Sequence, residues 1–323
     1  MRQGEAVAEE RASFAIAQGG PGRDRPAAAV AAAPPPVPAE LVPVLDAAAR
    51  YVLEYEQSFR DLAADETYTQ WAAARDTLNK GLALSCPDGI CRVSTRADLV
   101  FVRLPGPVPW GSYRDVYEVD GRKVRDHEAR LEALFSRLPS ATAQERARLL
   151  LAEGSRFNIG PAIRTVNFPT LALAFLHPAN QGRFAWSRGG HRRIDGIEAV
   201  EVEFDEVARP TMVDRGRDGD LPASGRFWID PARGTVLRSE VAFRFEFDRL
   251  PCARAAISVD YAADPKLAMW VPQEMHETYE DLEGARLRVF RSPSRATARY
   301  AGFRRFTVST DVDARVPDEP PTP

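Results

Sequence analysis

The feature that most limits the fold is an alternation of period two that begins near Arg183 and runs to Thr310. Val200, Val202 and Phe204 interleave with Glu201, Glu203 and Asp205. Successive side chains of a strand point to opposite faces, so the pattern describes strands buried on one side and wet on the other. Phe227 and Ile229 lead into Asp230, Pro231, Ala232, Arg233 and Gly234. Val241, Phe243, Phe245 and Phe247 leave this turn, alternating with Arg244, Glu246 and Asp248, which makes a hairpin. Further strands are expected over Ile257 to Tyr261, Trp270 to Glu280, Arg286 to Arg291 and Thr297 to Thr310. Such a succession gives one large antiparallel sheet whose apolar face needs a cover.

The first half of the chain supplies that cover. Leu41, Val44, Leu45, Ala48, Val52, Tyr55 and Phe59 recur every three or four residues, the stripe of a helix over about 39–62, with Pro43 harmless in its first turn. Strands are expected near Glu66 to Trp71, over Arg92 to Leu104 and over Tyr113 to Val119, the last turning at Asp120 and Gly121 towards Val124. Two helices follow. The first carries the stripe Leu131, Leu134, Phe135 and Leu138. The second opens with the capping pair Thr142 and Glu145, buries Leu149 to Leu151, and leaves at Gly154 or Asn158. A short third helix over Leu171 to Leu176 is closed by Pro178. The expected class is α+β: a large curved antiparallel sheet, a half-barrel or open barrel, covered by several helices. Residues 1–38, rich in Ala and Pro, read as a disordered leader or linker, 39–312 as a single domain, and 313–323 as a disordered tail.

Charge and hydropathy exclude some functions. The 43 basic and 46 acidic residues are spread along the chain, which leaves no field to draw in nucleic acid. The longest strongly apolar run, Leu171 to Leu176, is far short of the roughly 20 residues that a membrane-crossing helix needs. Glu5, Glu9 and Glu10 interrupt any secretory signal, so either the protein stays inside or this start is not its natural export leader. Cys86 and Cys91 flank Pro87, Asp88, Gly89 and Ile90, a turn-favouring tip across which a disulfide is expected, against two free thiols; Cys252 reads as a plain buried or loop cysteine.

Motifs for chemistry are incomplete. His127 and Glu128 start a His-Glu-x-x-His pattern, but Leu131 stands where the second ligand belongs. His276 and Glu280 are four apart on a strand, about 13 Å, too far to share one ion. His177 and His191 read as loop residues. Gly189, Gly190, His191, Arg192 and Arg193 form either an anion cradle or, preferably, a solvated hairpin tip. Ser155 after Gly154 lacks the closing glycine of a nucleophile elbow, Phe157 taking its place. Carboxylates on the alternating strands read as the solvent face. No catalytic residue, metal or cofactor is therefore expected. Two groups remain. Arg156, Asn158, Arg164, Thr165 and Asn167 make either cap and turn chemistry or a polar mouth. The inward aromatic residues Trp186, Phe204, Phe227, Phe243, Phe245 and Phe247 either fill a core or line a site for an apolar ligand.

The stretch Gly182 to Thr310 resembles the periplasmic lipoprotein-carrier and lipoprotein-sorting superfamily. The resemblance rests on the Gly196 turn before the Val200 to Phe204 strand, on Phe227, Trp228, Ile229, Asp230 and Pro231, on Gly234 and Arg238, and on the successive hairpins. The whole chain also looks like uncharacterised exported bacterial proteins. The resemblance implies a half-barrel closed by helices, a concave face holding the acyl chain of a lipid or lipoprotein, a periplasmic or secreted location, and neither enzyme activity nor cofactor. Two other functions are carried beside a lipid-binding envelope protein: a structural or protein-interaction module without a cavity, and a hydrolase assembled from distant strands.

Overall fold

The computed structural model describes residues 12–16, 34–58, 62–76, 82, 84–103, 108, 110–138, 141–160, 162–164, 167–214, 219–247, 250–285, 288–290 and 292–305. A strand at Ala12–Ile16 (β1) lies inside the stretch read as a leader; it pairs in parallel with Ala162–Arg164 (β6) and antiparallel with Val213–Asp214 (β9).

The main sheet joins strands from the first and last parts of the chain through the pairing of Leu62–Ala73 with Ser294–Arg305. Leu62–Ala73 (β2), Ile90–Arg103 (β3), Trp110–Val119 (β4) and Arg122–Lys123 (β5) form a meander. A second meander holds Phe184–Ile194 (β7), Ile197–Glu206 (β8), Ala223–Ile229 (β10), Val236–Phe247 (β11), Leu250–Asp264 (β12), Met269–Asp281 (β13) and Ser294–Arg305 (β14). β14 pairs with β2, giving one open antiparallel sheet in the order β5-β4-β3-β2-β14-β13-β12-β11-β10-β8-β7. The expected α+β class with a curved, unclosed sheet is what the chain adopts. Its curvature has a local cause: register shifts at Arg96/Ala97, Arg188/His191, Trp228/Ile229, Phe245/Glu246, Asp260/Tyr261 and Ala301/Arg304 each add twist and bend.

The cover comes from Val42–Ser58 (α1), His127–Arg137 (α2), Ala143–Gly154 (α3), a short 3₁₀ turn at Ala172–Leu176, and Pro178–Gln181 (α4). α1 buries Val44, Leu45, Ala48, Val52 and Tyr55, the stripe expected of it. It stops at Ser58 rather than near residue 62, because the chain is already in β2 at Leu62; Phe59 lies outside the described residues. α1 sits directly on the β10–β11 turn. A Cβ on Gly234, whose φ is +73°, would lie 2.1 Å from the Ala47 carbonyl oxygen, so only glycine allows this approach. Thr142 accepts the Glu145 N–H at 3.2 Å and opens α3 as its capping pair requires.

Four expectations are corrected. Gly189 and Gly190 are not a hairpin tip. They lie inside β7 at a bulge, His191 is a strand residue there, and the turn falls at Asp195 and Gly196. Gly189 faces Glu201 so closely that a Cβ would lie 2.7 Å from its Cγ, which explains glycine in mid-strand. Pro178 does not close the third helix but opens α4, a proline being at home in a first turn. Residues 288–290 are loop rather than strand: the Asp281 carboxylate accepts the N–H groups of Val289 and Phe290 at 2.8 and 2.9 Å, folding the segment over so that Phe290 is buried. Finally, not every strand carboxylate faces water, since Glu66, Glu206 and Glu277 point inward and are buried. Among the described residues no helix is long and apolar enough to cross a membrane.

Candidate functional site

The inner face of the sheet has two chemically distinct halves. On β7, β8, β10 and β11 the inward rows are aromatic. Phe204 stacks on Phe227 at 5.0 Å and meets Phe184 edge-on at 5.6 Å, and Trp186 lies 5.9 Å from Phe204. Phe245 meets Phe290 at 5.2 Å, and Phe290 in turn meets Tyr279. Trp186, Phe204, Phe227, Phe243 and Phe245 are only 0–4% exposed. A side chain beside a hollow that water enters would expose surface to it, so these five are packed against neighbours in this conformation. The Phe247 side chain lies outside the described residues.

What presses on them is a strap. Residues Leu171 to Leu176 run across the inner face, and all six side chains are 0–3% exposed. Phe175 packs against both Phe184 and Phe204, at 5.1 and 5.5 Å. The sheet holds the strap's entry by two hydrogen bonds: Trp110 Nε1, on β4, donates to the Thr170 carbonyl at 3.0 Å, and Tyr261 Oη, on β12, donates to the Pro169 carbonyl at 2.8 Å. At the exit, Asn180 and Gln181 of α4 donate to the Ala174 and Leu176 carbonyls, both at 2.9 Å. Thr170 Oγ1 is buried without a hydrogen-bond partner among the described residues. An orphan of this kind costs about 1–3 kcal/mol, a penalty lifted if the strap moves out.

On β2, β4 and β13 the inner face is charged. The Arg114 guanidinium donates through Nε and Nη2 to the Glu66 carboxylate, the second bond at 3.0 Å, and also to the Asn167 carbonyl at 2.7 Å, while its plane lies over the Tyr68 ring at 4.7 Å. Arg164 donates to Gln70 Oε1 at 2.5 Å and to the Ile159 carbonyl at 3.0 Å, pairs with Glu277 at 3.6 Å and lies over Tyr279 at 5.0 Å. Asn167 joins the two halves, its Nδ2 donating to Tyr68 Oη at 3.1 Å and to Glu277 Oε1 at 3.4 Å. Tyr279 Oη donates to Glu277 Oε2 at 2.5 Å. Burial alone would lower the Arg114 pKa, but Glu66 more than offsets it, and the net shift is upward. Burial pushes the Tyr68 and Tyr279 hydroxyls up, which keeps them neutral donors. A hollow of only about 10 Å³ adjoins Arg114, Arg164 and Asn167, room for a single water.

Of the polar residues singled out in the sequence, Arg164 and Asn167 thus meet in this buried network. Asn158 stands at its edge, donating to the Arg164 carbonyl at 3.1 Å, whereas Arg156 is half-exposed and pairs with Glu153 at 3.8 Å. Thr165 lies outside the described residues. Glu66, Tyr68, Arg114, Glu277 and Tyr279 were not anticipated. For the four strand residues of β2 and β13 the signal is the tripeptide Glu-Thr-Tyr, present at 66–68 and again at 277–279, which puts a carboxylate and a tyrosine on the same strand row; Arg114 carries no such signal.

No protein-family model matches the chain, and no curated protein matches it. Among solved structures it is similar to a LolA superfamily protein from Nitrosomonas europaea, at 12% identity and a TM-score of 0.33 over 80% of this chain and 94% of that one. A DUF1329 family protein from Desulfovibrio piger is 11% identical, with a TM-score of 0.32 over 83% and 94%. A domain assigned to outer membrane lipoprotein sorting in Vibrio parahaemolyticus is 10% identical, with a TM-score of 0.32 over 82% and 95%. No residue role is carried over from these proteins; the site rests on its own geometry.

Proposed function

We propose that the chain is a non-enzymatic binding protein of the cell envelope that takes up an apolar chain of a lipid or lipoprotein in place of its own strap. The observation that supports this reading is the strap itself. Against the aromatic inner face lie Leu171 and the five-residue 3₁₀ turn Ala172–Leu176, all six buried, a short segment beside the longer helix α1. The strap side chains contribute roughly twenty apolar carbons, about those of an acyl chain of sixteen to eighteen carbons, so one can replace the other with little change in apolar burial at about 0.8 kcal/mol per CH₂. The Cys86–Cys91 disulfide, with its sulfurs 2.03 Å apart, supports an oxidising compartment, hence the periplasm or the exterior.

Quenching of tryptophan fluorescence by dibromostearate tests this, because bromine acts at short range and Trp110 and Trp186 border the strap. Saturable quenching that falls in Trp186→Phe is expected; no saturable quenching, or quenching unaffected by loss of both Trp110 and Trp186, refutes the reading. A second reading, a structural module that holds a protein partner, is favoured by the tight packing of the five aromatic side chains and predicts no uptake at all.

A further inference from the structure

Away from the strap, a second cleft opens at the end of the sheet that carries β3, β4 and β5. Its walls are the loop closed by the Cys86–Cys91 disulfide, the β4–β5 turn at Asp120 and Gly121, the first turn of α2 at Arg130 and the exit of α3 at Arg156, and its volume is about 1150 Å³. Five cationic side chains line it against two carboxylates, although the whole chain carries a net charge of -3. Both carboxylates are engaged: Asp120 accepts the Ser94 N–H at 2.8 Å, and Asp126 pairs with Arg130 at 3.3 Å. Arg92, Arg122 and Lys123 are exposed and have no ion-pair partner among the described residues. Between the charges lies an apolar wall that includes Leu82, Leu84 and Val119.

We propose that this cleft binds an anionic amphiphile, its phosphate or carboxylate head on Arg92, Arg122 and Lys123 and its apolar body on Leu82, Leu84 and Val119. Unpaired cations at the edge of an apolar wall attract a ligand that carries both an anion and an alkyl stem, since a bare anion leaves the wall wet and a neutral tail leaves the cations unused. The site is separate from the strap and stands whether or not the strap moves.

The test uses the full chain and three probes below any micellar concentration: monododecyl phosphate, dodecyl maltoside and inorganic phosphate, titrated calorimetrically. The phosphate amphiphile is expected to bind at least tenfold more tightly than either control. Affinity is expected to fall at least tenfold in the double variant Arg92→Glu with Arg122→Glu, both exposed positions, with an unchanged circular dichroism spectrum expected as the check on its fold. Equal binding of dodecyl maltoside, or of inorganic phosphate, overturns the proposal. So does binding that survives charge reversal but is lost in Trp186→Phe, which assigns the probe to the strap instead.

Discussion

Replacing Glu66 by Ala removes one carboxylate from the buried network and leaves the Arg114 guanidinium, 5% exposed, without its counter-charge. Asn167 still accepts from Arg114 at 2.7 and 3.3 Å, and the Tyr68 face remains, so part of the cation's environment survives. At 3.0 Å and an effective dielectric of about 20, the lost attraction is about 5 kcal/mol. Breaking buried pairs from one side costs about 3–5 kcal/mol, and that is the expected loss. The double variant Glu66→Leu with Arg114→Met removes both charges and their desolvation together, so it is expected to lie within about 1 kcal/mol of the parent. Urea unfolding at pH 7 measures both. With a slope of about 3 kcal/mol per molar, the single variant shifts the midpoint down by about 1–1.7 M, while the double variant barely moves. A single variant within about 1 kcal/mol of the parent refutes the reasoning, as does a double variant that is worse than either single change.

Three other outcomes follow from the same structure. Burial pushes the Glu206 carboxyl from its ordinary 4.5 up to about 7, against the pull of the Met212 and Ala223 N–H groups and of Arg183 and Arg209. The native state therefore holds an extra proton between about pH 4.5 and 7, and stability from this group is full at low pH and declines by up to about 3 kcal/mol as pH rises through 7; urea midpoints at pH 5 and 8 measure the decline, which Glu206→Gln should abolish. Phe245→Asp places an unpaired charge against Phe290 and should yield no folded protein, whereas Phe245→Leu should fold at a cost of about 1–2 kcal/mol; soluble, cooperatively melting Phe245→Asp contradicts a packed row. Removing the short Cys86–Cys91 loop with Cys86→Ser and Cys91→Ser should cost about 2 kcal/mol in thermal unfolding.

The sheet was legible because its evidence is local. Alternation in Val200 to Phe204, the Asp230 to Gly234 turn and the Asp120–Gly121 turn each specify a strand or a reversal within a few residues. The stripe of α1 and the Thr142 cap do the same for helices. What could not be read is what distant residues do to one another. Gly189 and Gly190 carry the composition of a turn, but the close approach of Glu201 on the neighbouring strand decides their place. Residues 288–290 carry apolar content fit for a strand, but Asp281 captures their backbone. Glu66 and Glu277 look like ordinary strand acids until the register of β2 and β13 turns both inward towards Arg114 and Arg164. Arg164 and Asn167 were visible as a dense polar patch; the Gln70 amide that accepts from Arg164 and the Glu277 carboxylate that accepts from Asn167 lie about a hundred residues away in opposite directions.

Hydrogen exchange across residues 171–177, with and without stearate, examines the displacement of the strap most directly. Bound stearate should accelerate exchange of these amides while the amides of β10 to β13 keep their protection, because the acyl chain takes the place of the strap against Phe175's neighbours Phe184 and Phe204. Stearate that binds while the strap amides exchange no faster, or more slowly, contradicts the displacement.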